Sequence, residues 1–97
     1  MNKFLISGHL NTGIENGLLL RELSALTGLD SRKVRRQIQR ERLAGIPILS
    51  DCRYGYYLAG SDEEIARFVF SMRRRAREIL RGARAVENPP AGKRRDN

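Results

Sequence analysis

Two helical patterns, held apart by Gly28 and Leu29, constrain this chain more than any other feature. In LLLRELSALTG, Leu20, Leu23 and Leu26 recur at helical spacing. Gly28 follows them, a residue suited to the left-handed conformation that closes a helix. Asp30 then stands where its side chain can accept hydrogen bonds from the first amides of a new helix, expected from Ser31 to about Arg42. A helix, a short glycine-containing turn and a second helix make the helix-turn-helix signature.

The second of these helices is unusual in its charge. Within SRKVRRQIQR the apolar residues are Val34 and Ile38, four apart, and five of the ten residues are basic. With those two marking the inner side of a helical wheel, Arg32, Arg36, Gln39 and Arg40 fall opposite, and Lys33 and Arg35 flank them. Residues 31–42 hold six basic side chains against one acid, Glu41, a net of +5. A solvated helix face usually mixes both signs and gains intrahelical pairs. This one barely does. Arginine forks match guanine edges and phosphates, and glutamine can pair with adenine. A helix fits the major groove of B-form DNA, whereas the deep, narrow groove of A-form RNA excludes it. The formal net charge of +8 and a pI near 10.8 agree with a polyanionic partner, nucleic acid before a membrane surface.

Around this pair the chain is simpler. Residues 1–17 hold the apolar cluster Phe4, Leu5 and Ile6, read as a brief helix or turn over about 2–9, and then a Gly/Asn-rich loop. In LAGIPILSDCRYGYYLAG, Gly45 and Pro47 exclude more helix. Ile46 alternates with Ile48, and Tyr56 with Leu58, so a β-hairpin is expected with a loop of four to six residues. From Asp62 to about Glu87 runs a long helix, capped by Ser61 or Asp62 and opened by three acids that suit its dipole. Its residues Ile65, Phe68, Val69, Met72, Ala76, Ile79, Leu80, Ala83 and Val86 share one stripe, with Phe70 outside it. Such a helix spans about 39 Å, longer than a domain of this size is wide. A homodimer through residues 65–86 is therefore expected. The outer side carries Arg67, Arg74, Arg77, Arg81 and Arg84, either a second phosphate-contacting face or a docking site for protein. NPPAGKRRDN reads as a disordered basic tail.

Several chemistries find no support. His9 has no second histidine, CxxC or carboxylate cluster with which to hold a metal. Cys52 is the lone cysteine, so it forms no internal disulfide, and no histidine stands at a spacing that would make it a nucleophile. The glycines of SGHLNTGIENG do not match a phosphate-binding loop. The expectation is a protein that is not an enzyme and takes no cofactor or metal. With no secretory signal and no apolar run of membrane-spanning length, no membrane association and a cytoplasmic location are expected.

The stretch LLLRELSALTGLDSRKVRRQIQRERLAGIPILSDCRYGYYLA resembles a bacterial winged helix-turn-helix of the biotin-operon-repressor type. There a helix-turn-helix runs into a G-x-P-I strand and a GY-x-L wing strand. The chain is also similar to small prophage-encoded proteins in which one long charged helix follows such a domain. The resemblance covers about residues 18–60, and residues 62–87 loosely. It implies Asp30 as the cap of the recognition helix, Val34 and Ile38 as its core residues, and Gly45 as its stop. Ile46 and Ile48 would form the first wing strand, Tyr56 and Leu58 the second, with Tyr56 packed and Tyr57 outward. Arg53 and Tyr54, at the wing tip, would reach the minor groove or phosphates. The pattern usually has an apolar residue at Glu41. Either Glu41 is half-exposed with an arginine partner, or the helix stops before it.

The expected architecture is mostly α with a small β-hairpin: a winged helix-turn-helix domain over residues 1–60, a long amphipathic helix over 61–87 and the tail over 88–97. The expected function is binding of double-stranded DNA, sequence-specific or architectural, as a phage or prophage transcriptional regulator. The residues expected to contact DNA are Ser31, Arg32, Lys33, Arg35, Arg36, Gln39, Arg40, Arg42, Arg53 and Tyr54. The rival roles are a protein-interaction module of a phage replication or assembly complex, docking through Phe70, and an excisionase-like factor that bends DNA.

Overall fold

A computed structural model describes residues 5–89. Two 3-10 turns, Ile6–His9 and Ile14–Asn16, precede helix α1 (Leu20–Thr27) and helix α2 (Ser31–Leu43). Strands β1 (Ile48–Asp51) and β2 (Gly55–Leu58) form an antiparallel hairpin, and helix α3 (Asp62–Glu87) closes the sequence of elements. The chain is mostly helical. It divides into two compact units, one running through Ala66 and the other starting at Arg67, so that the division falls inside α3. The expected tail lies, from Pro90 onward, outside the described residues.

In the first unit the local signals act as chemistry requires. Gly28 ends α1 at φ +76°, and its amide donates to the Ser24 carbonyl at 2.9 Å. The Asp30 carboxylate accepts from the Lys33 amide at 2.9 Å and so starts α2. Asp30→Ala should cost about 0.5–2 kcal/mol, the range for a lost N-cap. A thermal melt will show it, and an unchanged midpoint would mean that water replaces the cap.

Leu23, Val34 and Ile38 are buried with Ile6, Leu10 and Ile48 in one core. Leu26 does not join them and is 58% exposed. Steps of three turn each leucine about 60° back around the helix. The core lies on the Leu20–Leu23 side, and Leu26 rotates out of it.

The hairpin differs from expectation in three ways. Its first strand begins at Ile48, leaving Ile46 half-buried before it, and its loop has three residues, Cys52–Tyr54. Asp51 tightens that loop by accepting from the amides of Arg53 and Tyr54 at 2.8 and 3.0 Å. The Gly/Asn-rich segment before α1 is also more than a loop. Leu18 and Tyr56 exchange both main-chain hydrogen bonds, at 2.8 and 2.7 Å, and Leu58 donates to Asn11 at 2.8 Å. The segment thereby satisfies the outer edge of β2. Gly55 makes this approach possible. Its φ is +87°, and a Cβ there would run into the Leu18 carbonyl.

The third difference concerns the tyrosines. Ile48 pairs with Leu58 and Ser50 with Tyr56, on the face turned to the core, as the alternation predicts. Leu49 pairs with Tyr57 on the other face, which was expected to be outward. That face is buried too, with Leu49 at 3% and Tyr57 at 5% exposure, while Tyr56 is only half-buried. Register and pattern agree, but neither face of this hairpin meets water freely.

Glu41 overturns both alternatives raised for it. Helix α2 continues past it to Leu43, and the side chain is 2% exposed. Its carboxylate accepts from the Ile6 amide at 2.6 Å, the Ser7 amide at 2.9 Å and Gln37 Nε2 at 2.9 Å. No arginine pairs with it among the described residues. It caps the first 3-10 turn from 34 and 35 positions away, using donors that a helical start leaves unpaired.

Helix α3 begins with a reciprocal cap. Ser61 Oγ accepts from the Glu64 amide at 3.2 Å, and Glu64 accepts from the Gly60 amide at 2.6 Å. Ile65, Phe68 and Val69 are half-buried. Beyond them the helix is exposed throughout, with Ile79 at 65% and Val86 at 83%.

Candidate nucleic-acid interface

Helix α2 buries Val34, Ile38 and Glu41 and turns Ser31, Arg32, Lys33, Arg35, Arg36, Gln39 and Arg40 to solvent. The helical repeat places Arg32, Arg36 and Arg40 in one row, each four residues after the last. Among the described residues, none of the five cations on this face has a carboxylate within ion-pair distance, and the ion pair found there is Arg81–Glu78, on α3, at 3.3 Å. The burial of Glu41 matters here as well. The acid of this helix is turned inward onto main-chain amides, so the outer face of residues 31–43 carries positive charge alone.

The same division of labour holds through the first 66 residues. They contain nine basic and eight acidic side chains, nearly balanced overall. Five of the acids, Glu22, Asp30, Glu41, Asp51 and Glu64, accept main-chain amides. These carboxylates close turns and helix ends, while Arg32, Arg35, Arg36 and Arg40 of α2 have no carboxylate partner among the described residues. The positive field of this unit is local to one helix face rather than spread by composition.

Arg42 departs from the expected set. Its Nε donates to the Ile48 carbonyl at 2.7 Å, and its Nη2 lies 3.4 Å from Ser50 Oγ. Burial lowers its guanidinium below the ordinary arginine value, and the neighbouring Tyr56 raises it in part. Arg42 ties α2 to β1 and is not offered to a partner. Its long side chain folds back, something a helical wheel does not represent.

Arg53 and Tyr54 are exposed at the hairpin tip, where the guanidinium carbon lies 5.7 Å from the ring centroid. The Asp51 turn fixes the main chain beneath them. The exposed Cys52 lies in the same loop. No group of three or more His, Cys, Asp or Glu side chains able to hold a metal occurs among the described residues. No described helix is long and apolar enough to cross a membrane. Comparison of the chain with protein-family models, with curated proteins and with solved structures gives no match.

Proposed function

We propose that this protein is a winged helix-turn-helix that binds double-stranded DNA, with α2 as the recognition helix and the β1–β2 hairpin as the wing. The observation that carries this reading is the outer face of α2. Five cations and Gln39 stand there without an acid, on a helix clamped from behind by Val34, Ile38 and Glu41. Arg32, Arg35, Arg36 and Gln39 would meet base edges, and Lys33 and Arg40 phosphates. Arg53 and Tyr54 would follow the backbone or minor groove from the wing. The role proposed with it is transcriptional regulation in a phage or prophage; fold analogy alone does not choose this over an excisionase-like or protein-docking role.

The test is duplex affinity against salt. Five or six neutralised phosphates imply a log–log slope near about −5. Arg36→Ala should leave the fold intact, because the side chain is exposed. If Arg36 reads a base, the change should cost about 1–3 kcal/mol and relax preference at one position of the site. If it holds phosphate, affinity should fall evenly on all sequences and the slope should shrink by about one unit. A folded protein whose affinity for duplex ignores both salt and the loss of Arg36 would end the DNA reading and give this face to a protein partner.

A further inference from the structure

From Ile65 onward, apolar or small residues recur along α3 at 65, 69, 72, 76, 79, 83 and 86, in strict steps of four and three. That is the repeat of a helix seated against another helix. One seam position holds Ile65, Met72, Ile79 and Val86, and the other holds Val69, Ala76 and Ala83. In the single chain much of this seam is open, with Met72 at 38%, Ile79 at 65% and Val86 at 83% exposure.

We propose that the distal part of α3 pairs with α3 of a second copy of this chain, and that the two helices run antiparallel. Side-chain volume decides the direction. A parallel pair in register would set Ala76 and Ala83 each against its own copy, leaving thin layers between crowded Met72 and Ile79 layers. An antiparallel pair centred between Arg77 and Glu78 sets Met72 on the partner's Ala83, Ala76 on the partner's Ile79 and Val69 on the partner's Val86. The two central kinds of layer then join one large and one small residue, and the outer kind joins two of middle size. Six such layers extend over about 27 Å of helix.

Charge and backbone favour the same arrangement. The run Arg73–Arg74–Arg75 would lie level with its own copy in a parallel pair, but level with the partner's Leu80, Arg81 and Gly82 in the antiparallel one. Arg73 then flanks the partner's Leu80, which is 53% exposed in the single chain, and its aliphatic stem can cover that residue. Arg75 flanks the partner's Gly82. Glycine weakens a helix interior, and apart from the neighbouring backbone of α3 nothing among the described residues lies within 4 Å of where its Cβ would be. Room for Arg75 gives it a purpose. The pairing does not depend on what α2 binds.

The experiment uses the full chain with Cys52→Ser, to which Met72→Cys and Ala83→Cys are added together. Antiparallel pairing sets position 72 directly against the partner's position 83 twice per dimer, so mild oxidation should yield a covalent dimer. Within one chain the two positions are about 16 Å apart, beyond disulfide reach. A Met72→Cys chain in the same background should stay uncrosslinked, because antiparallel pairing separates the two copies of that position by about 16 Å along the axis. In the wild-type chain, Ile79→Glu should weaken dimerisation at least tenfold in sedimentation equilibrium, since Ile79 serves two layers. Helix content by circular dichroism should hold, because the residue is exposed. Crosslinking of the Met72→Cys chain on its own would overturn the direction. A wild-type monomer at about 100 μM, or a dimer indifferent to Ile79→Glu, would overturn the pairing itself.

Discussion

Replacing Glu41 by alanine should lower the unfolding free energy by about 3–5 kcal/mol, although the residue is a charged side chain in a strongly charged helix. The carboxylate serves three donors, the amides of Ile6 and Ser7 and the Gln37 side-chain amide. The Ile6 bond is buried and the other two are partly so. A buried donor left unsatisfied costs about 1–3 kcal/mol, and a partly buried one near the lower end of that range. Ile6 is itself a core residue at 1% exposure, so the turn cannot drift toward water without opening the core. Glu41→Gln should also destabilise, because its amide group brings two further donors into a place that needs acceptors. Gln37→Ala removes one donor along with its bond and should cost much less, about 1 kcal/mol. Urea unfolding of the three variants gives the order. A Glu41→Ala protein within about 1 kcal/mol of wild type would show that the two amides find other acceptors, and the capping role would fall.

What could be read from the sequence was local. Gly28 and Asp30 act on amides and carbonyls within four residues of themselves, and Val34 and Ile38 fix the inner side of a helix without reference to the rest of the chain. The outward face of α2 follows from those two anchors. The span of α3 was legible from its own pattern, with its start marked by Ser61, whose Oγ accepts from the Glu64 amide. What escaped was non-local. The partners of Glu41 lie 34 and 35 positions away, and the only nearby signal is Gln37, one turn before it. The pairing of Leu18 with Tyr56 and of Asn11 with Leu58 involves main-chain groups in a segment with no alternating pattern, so composition marks it as loop. Arg42 escaped because a wheel gives the direction of Cβ and not the end of a long side chain, which here reaches Ile48.

Tyr57→Ala should cost about 3–5 kcal/mol, as for other buried aromatics, and Tyr56→Ala about half of that or less. This order reverses what alternation alone suggests. Tyr56 shares the core face with Ile48 and Leu58 but remains half-buried, so its truncation returns to water a ring that was partly wet already. Tyr57 sits at 5% exposure opposite Leu49 at 3%, and no polar side of the hairpin is left to absorb the change. Because Leu49 and Tyr57 are directly paired across the strands, their truncations should not add. A double-mutant cycle should give a coupling of about 0.5 kcal/mol or more. The pair Tyr56 and Leu49, on opposite faces, should add within experimental error. A larger loss at Tyr56 than at Tyr57 would mean that the second face of the hairpin is open in solution. Leu49 would then lose its coupling to Tyr57 as well, and the two measurements together separate an open face from a slipped register, which would instead transfer the coupling to Tyr56.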